Sequence, residues 1–414
     1  SRNSVVPFRG EGSSNERLPK GWDEIEHFEN YIGGESVQIE DFYGFSEIEL
    51  AIDHGARISG DHFIWALDHG AKKEDLFVEY NERSPALKRS KNWWQIYKPP
   101  YSEEYHSTSF VTERTIDHIR RKSPDAEPWL IWCSYPDPHH PLTPPGKWFN
   151  RYQPEDMNLP DSRKDTLKDA PEHLRLFRGM HPSKQRDWVS PCGYGGDELL
   201  QEAIAATYGM IEMVDDGIGK ILQSLKESGE LENTIIVFTS DHGDMMGDHG
   251  LFLKGFMHYQ GTLRVPLVIS APGAEAQVNR ALVSSTDICP TLLDLCEIPS
   301  YDGIQGKSLG PLLSGSENAV RDHILIEDDI ATITSTLTPI PAKTRTIVSS
   351  DQRYTRNSKG EEQLFNLEND PHEMQDLKKR DPHLRSLIIE KLMDALIETD
   401  DSAKGAPNNG ADEA

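Results

Sequence analysis

Cysteine is scarce in this chain: four thiols, Cys133, Cys192, Cys289 and Cys296, are spread over 414 residues. Their number and scatter exclude a disulfide framework and a cysteine-rich zinc cluster. Cys133 lies in an apolar run and reads as a packed thiol. Long hydrophobic runs are absent too. Nothing approaches the ~18 consecutive apolar residues that a membrane helix needs, so no membrane partner is expected. Positive charge is in deficit, with 43 Lys and Arg against 69 Asp and Glu and a formal net charge of -26. Nucleic acid and anionic lipid both require a basic face, so neither is expected as a partner. The same deficit means that a pocket for a small anion must gather its basic residues locally, and that an acidic exterior slows capture of a polyanion. With 36% hydrophobic residues the chain can nevertheless bury a large core.

What is present is organised around residues 234–259, TIIVFTSDHGDMMGDHGLFLKGFMHY. Ile235, Ile236, Val237 and Phe238 form an apolar run without polar alternation, the pattern of a strand covered on both faces of a parallel sheet. Thr239, Ser240, Asp241, His242 and Gly243 follow at once, so an acid and an imidazole stand where the strand ends. Open α/β sheets bind ligands outside the carboxyl ends of their strands, which makes Asp241 and His242 a candidate metal half-site. The chain has six further Asp-His steps, at 53–54, 61–62, 68–69, 117–118, 248–249 and 322–323, which read as solvated faces or caps. By spacing alone the 241–242 pair fits either description. Its position after a buried-type strand and before Gly243, Gly247 and Gly250, which allow a tight loop, is what separates it. Lys254 and His258 on the far limb suit an anionic substrate, or simply a basic surface.

Elsewhere the pattern alternates. Short strands are expected within residues 22–31 and 39–50, with loop before them. Helices are expected over 61–75, 108–122, 198–228 and 285–296, and strands over 129–135 and 265–270, which argues a doubly wound, mostly parallel α/β sheet. In the 198–228 helix Ile204, Tyr208, Ile211, Val214, Ile218, Ile221, Leu222 and Leu225 mark an apolar face. Gly209, Gly217 and Gly219 hint at close packing on the sheet, and Asp215-Asp216 should present at least one carboxylate to water. Trp93, Trp94, Tyr97 and Tyr101 either wall a pocket or anchor a surface loop. The run WLIWCSY at 129–135 ends in Pro136-Asp137-Pro138-His139-His140-Pro141, where proline restrains the backbone on both sides of two imidazoles. Such a ring can donate to an anion or protonate a departing alcohol, and a satisfied loop histidine is the alternative. Residues 143–196 are long for a connection and are assigned to substrate specificity. After residue 315 short strands at 324–326, 346–349 and 363–367, and a helix over 381–398, predict a small α+β subdomain. The expected organisation is therefore 1–315, 316–398 and a disordered tail at 399–414.

The segment with Asp241, His242, Gly243 and Lys254 resembles the sulfatase family of the alkaline phosphatase superfamily, and the resemblance extends over nearly the whole chain. PDPHHPLTPPGKW and SDHGDMMGDHGLFLKG are similar to bacterial sulfatases and to relatives that hydrolyse phosphonate monoesters and phosphodiesters, and Asn369-Asp370-Pro371-His372-Glu373 resembles a turn of their C-terminal subdomain. The resemblance implies a sulfuric ester hydrolase with Asp241 and His242 as metal ligands, Lys254 and His258 on the substrate oxyanion, and His139 near the leaving group. It implies a divalent metal, calcium first, with manganese, iron or zinc admitted by the imidazole. The expected substrate is a small-molecule or glycan sulfate ester, and a homo-oligomer is compatible with it. A phosphonate monoester or phosphodiester hydrolase is the alternative, followed by a non-catalytic fragment or pseudoenzyme.

Sulfatases attack with a hydrated formylglycine made from Cys or Ser in Cys/Ser-x-Pro-x-Arg, and no Cys or Ser here stands in that pattern; Ser134-Tyr135-Pro136-Asp137-Pro138 comes nearest and lacks the Arg. An N-terminally truncated chain is therefore expected, with unpaired sheet edges, weak metal binding and no turnover of its own. The compartment is not fixed by these residues, with cytoplasm favoured slightly over periplasm.

Overall fold

Apolar runs become strands only where a neighbour supplies hydrogen bonds, and this decides much of the architecture. The computed structural model describes residues 27–36, 42, 44–52, 54–76, 85–121, 128–184, 191–301, 303–330 and 338–399. The expected loop before residue 20, residues 22–26, 39–41 and 43 of the two expected strand regions, and the tail at 400–414 lie outside the described residues. In the rest of those regions the expected strands do not form: Phe28–Asn30 is a turn of 3-10 helix, and 44–50 contributes only to an isolated bridge between Phe42 and Phe45. Two units are distinguished, the first with residues 1–160, 181–190 and 194–232, the second with 161–180, 191–193 and 233–414.

In the first unit Ala51–Ile52 pairs antiparallel with Ser59–Gly60, and helices span Asp61–Asp68, Ser107–Arg121 and Asp197–Ser228. The core joins Ile58, Phe63, Trp65, Leu76, Tyr97 and Phe110. The aromatic cluster at 93–101 is buried throughout, so it belongs to the interior and neither walls a pocket nor anchors a surface loop. The long helix ends at Gly229, whose φ of 78° lets its own N–H and that of Glu230 return to the carbonyls of Lys226 and Leu225. Its buried stripe is shifted from the aliphatic face expected. Leu200, Ala203, Thr207, Met210, Met213 and Gly217 face inward, while Tyr208 and Ile211 are about half exposed. Small residues win because backbone comes close: a Cβ on Gly209 would lie 2.5 Å from the Trp148 carbonyl, and one on Gly217 would lie 2.4 Å from Thr112 Oγ1 of the neighbouring helix. The glycines therefore admit a helix and a turn, not a sheet, and Gly219 faces open space. Asp216 meets Lys220 at 2.7 Å on the outer surface.

The run at 129–135 is the clearest departure. It forms no strand among the described residues, and Leu130 and Trp132 are 66% and 73% exposed. Cys133 is exposed with it, accepting a hydrogen bond from the Thr115 hydroxyl, and is not a core thiol. An apolar run records what a segment can bury but names no partner for its backbone.

In the second unit Ile236–Thr239 pairs antiparallel with Leu267–Ser270. Phe238 is 42% exposed, so this strand is not covered on both faces. Helices span Glu172–Gly179 and Ile288–Leu295. The C-terminal part forms a four-stranded antiparallel sheet in the order Glu362–Asn366, Gln352–Asn357, Lys343–Ser349, His323–Asp329. The helix Pro382–Thr399 lays Ile388, Leu392 and Ala395 on Ile347, Tyr354 and Leu364 of that sheet. A second core of this unit gathers Leu174, Phe177, Met245, Met257 and Tyr259 with Phe365 of the sheet, so the loop after residue 240 packs against the C-terminal strands.

Candidate active site

The strand Ile236–Thr239 delivers its last residues into a loop that turns back on the helix Gln260–Leu263. Gly243 makes this possible: its N–H donates to the Thr262 carbonyl at 2.9 Å, and a Cβ would lie 2.0 Å from the Gly261 carbonyl oxygen. Any larger residue would push the loop off the helix. At its open end Asp241 Oδ1 accepts the His242 N–H at 2.8 Å, and the Asp241 side chain is 81% exposed. His242 Nδ1 lies 2.9 Å from the Gly243 carbonyl, which only accepts, so Nδ1 carries the proton. His242 Nε2 then turns a lone pair toward Asp241 Oδ2 at 3.3 Å. Two facing acceptors call for a proton or a cation, and their spacing suits neighbouring ligands of one metal held at about 2.0–2.5 Å.

The pair fits half of a cation site. Among the described residues no group of three or more His, Cys, Asp or Glu side chains is placed to hold a metal ion. Behind the pair, Asp244 Oδ1 accepts the N–H groups of Met246 (2.8 Å) and Leu253 (3.1 Å) and staples the two limbs of the loop together. Burial raises the Asp244 pKa, against the opposing pull of those N–H groups and of Lys254. Burial lowers that of Lys254, opposed by the charges of Asp244 and Asp241, so Lys254 is electrostatically coupled to the open end of the loop.

His258 is placed differently from expectation. It is 7% exposed, its Nδ1 lies 2.8 Å from Thr346 Oγ1, and its Nε2 lies 3.6 Å from Asp328 Oδ2. Both ring nitrogens thus face the C-terminal sheet, and the arrangement expected for a substrate-oxyanion donor is not observed. The cause is local: Met257 and Tyr259 on either side are core residues, and the loop is drawn down between them. His249, from an Asp-His step read as bland, is 2% exposed, donates from Nδ1 to Asp165 Oδ2 at 2.8 Å and stacks on Tyr259 at 3.9 Å.

Within the first unit, His139 is half-buried in the proline-braced loop, and its Nδ1 donates to the His140 carbonyl. Its ring stacks on His140 at 4.0 Å and lies tilted against that of His54 at 3.8 Å. The sequence shows His54 only as one of several Asp-His steps, and no local pattern marks a ring contact made across 85 residues. Beneath the loop, burial pushes the Asp137 carboxyl up to about 7, partly opposed by the Thr108 hydroxyl at 3.2 Å. Burial takes nearby His106, 3.8 Å from Asp137, down to about 3.

The mixed α/β fold with a four-stranded antiparallel sheet at its C-terminal end is that of alkaline-phosphatase-like sulfatases. The chain belongs to the sulfatase family: the Sulfatase family profile matches residues 63–298, and the profile described as N-sulphoglucosamine sulphohydrolase, C-terminal, matches residues 247–402. It is 34% identical over 316 residues to an arylsulfatase of Clostridium perfringens, covering 73% of this chain and 61% of that protein. Thus the chain spans about three fifths of that relative's length. Its fold is similar to that of the phosphonate monoester hydrolase of Agrobacterium radiobacter, with a TM-score of 0.69 at 24% identity over 86% of this chain and 73% of the other. It is also similar to BT4656, solved with its substrate D-glucosamine-2-N,6-O-disulfate, with a TM-score of 0.59 at 20% identity over 72% and 71%. Members of the family are metal-dependent. No helix among the described residues is long and apolar enough to cross a membrane.

Proposed function

We propose that the protein is a metal-dependent sulfuric ester hydrolase whose cation and anion contacts include Asp241, His242 and Lys254. The observation that carries the reading is the facing pair of acceptors at 241 and 242, inside the matched region and coupled to a lysine. A divalent cation, when bound, supplies Lewis-acid polarisation of the ester oxygens and neutralises charge. Asp241 and His242 would hold it; a mostly oxygen shell favours calcium, and the imidazole admits manganese, iron or zinc.

Lys254 acts as a fixed donor to the anion. Burial lowers its pKa, and the charges of Asp244 and Asp241 oppose that lowering. His139 has the chemistry of a leaving-group acid. Because its Nδ1–H is committed to the His140 carbonyl, the transferable proton sits on Nε2, and the ring passes from imidazolium to the neutral Nδ1–H form as the proton leaves. The nucleophile is assigned to no residue of this chain, since none stands in Cys/Ser-x-Pro-x-Arg. A small-molecule or short glycan sulfate ester suits the net charge of -26 better than a long polyanion.

A phosphonate monoester or phosphodiester hydrolase is the second reading, favoured by the TM-score of 0.69 to a phosphonate monoester hydrolase. Parallel turnover of an aryl sulfate and an aryl phosphonate monoester by the protein expressed from its complete open reading frame separates the two. Faster sulfate cleavage, lost in Asp241→Asn, supports the first; faster phosphonate cleavage selects the second; no cleavage of either defeats both.

A further inference from the structure

His258 is joined to a buried chain of hydrogen bonds whose direction is set at its far end. Arg353, fully buried, donates through Nε to Glu373 Oε1 and through Nη1 to Thr355 Oγ1 at 2.6 Å. Thr355 Oγ1 lies 2.6 Å from Thr346 Oγ1, which lies 2.8 Å from His258 Nδ1. Glu373 Oε2 returns to the loop by accepting the Gln260 N–H at 2.8 Å. The circuit therefore leaves the loop at residue 258, crosses two strands of the sheet and re-enters it at residue 260.

A guanidinium is a donor only and a hydroxyl carries one proton. Thr355 receives the Arg353 proton, so its own hydrogen is free for Thr346, the remaining oxygen within reach. Thr346 then has an incoming donor and turns its hydrogen to His258 Nδ1. The reverse direction would leave the Thr355 hydrogen without an acceptor at a site 6% exposed, which burial disfavours. Followed to its end, the chain makes Nδ1 an acceptor and puts the imidazole proton on Nε2, toward Asp328.

We propose that Arg353, acting through Thr355 and Thr346, is a positioning residue that fixes His258 as the Nε2–H tautomer and so clamps the loop carrying Lys254 to the C-terminal sheet. The consequence for anion contact rests on the function proposed above; the tautomer does not.

The test is selective 15N-histidine NMR of the full chain, with the His258 signals assigned by their loss in His258→Gln. Expected is a pyridine-type Nδ1 and a pyrrole-type Nε2 in the unaltered chain. Thr355→Val, a residue not hydrogen-bonded to His258, should convert this to a mixed or inverted tautomer, and Thr355→Ser should restore it. A pyrrole-type Nδ1 in the unaltered chain, or a signature that Thr355→Val leaves untouched, overturns the proposal. Thr346→Ser, which keeps the hydroxyl, must keep the signature as well; its loss there also counts against the chain of donors. Sulfate turnover by the complete protein is a separate readout, so its failure bears on the proposed function and leaves the tautomer result standing.

Discussion

Glu373 is where the second unit can be tested most sharply. Glu373→Ala removes the carboxylate paired with Arg353, a guanidinium with 0% side-chain exposure held between the rings of Tyr259 (4.9 Å) and Phe365 (4.8 Å). Breaking a buried pair by deleting one partner costs about 3–5 kcal/mol, because the remaining charge is left uncompensated. The Gln260 N–H also loses its acceptor, worth about 1 kcal/mol. Glu373 has a φ of 54°, and alanine bears the same left-handed strain as glutamate, so backbone strain cancels where a glycine substitution would relieve it. The expected loss is about 4 kcal/mol, or roughly a thousandfold in the opening equilibrium. Tryptophan fluorescence is the wrong probe, since all eight tryptophans fall outside the residues of this unit. Native-state hydrogen exchange of peptides covering 343–357 and 362–367 reads it directly. Glu373→Gln, which keeps an acceptor, should show about half the effect, and Arg353→Met with Glu373→Met should recover most of it, because apolar replacement of both partners removes the stranded charge. Exchange accelerated less than tenfold in Glu373→Ala would refute the view that this pair anchors the loop.

Three further outcomes are expected. Asp137 has a folded-state pKa of about 7 against an ordinary 3.8, so the folded chain holds a proton that the unfolded chain releases, and stability falls as pH rises through that window. Asp137→Asn should gain on the unaltered chain by about 1.4 kcal/mol per pH unit between pH 4 and 7; urea midpoints read by tryptophan fluorescence at pH 5 and 8 check this, and a pH-independent difference contradicts it. Asp241→Ala and His242→Ala remove exposed groups and should shift the melting temperature by no more than about 0.5 kcal/mol allows, while abolishing any stabilisation by added calcium or manganese. Trp132→Glu with Leu130→Lys should raise soluble yield without lowering stability, because both side chains already face water.

Element type was largely legible because periodicity is local. The helices at 107–121 and 382–399 lie within a few residues of expectation, whereas the single helix expected over 61–75 breaks into Asp61–Asp68 and Lys73–Leu76. The strand Gln352–Asn357 was missed because its sequence, QRYTRN, is mostly polar, yet Tyr354 and Arg353 are fully buried within it. What periodicity cannot carry is partnership. WLIWCSY and IIVF are both largely apolar runs, but only the second meets a pairing strand among the described residues, and even there Phe238 remains exposed on one side.

The same limit governs the candidate site, and it explains why the surroundings of Asp241 and His242 are legible in sequence while those of His258 are not. The partners of 241 and 242 are one or two residues away, so a short motif contains the whole geometry: an acid, an imidazole, and a glycine thin enough to let the backbone turn onto residue 261. The partners of His258 lie 88 and 70 residues downstream at Thr346 and Asp328, in a region whose local pattern shows only short strands. A basic residue four positions from Lys254 was therefore assigned the lysine's role by proximity in sequence. Burial reverses that assignment, since a ring with both nitrogens turned to the sheet can steady the loop but cannot also donate to an anion at its open end. On this argument His258→Ala should loosen the loop and weaken anion capture through Lys254 without removing a contact to the anion, whereas Lys254→Ala should remove the contact and leave hydrogen exchange at 343–349 unchanged. Equal effects of the two substitutions on exchange would return His258 to the anion's side of the loop.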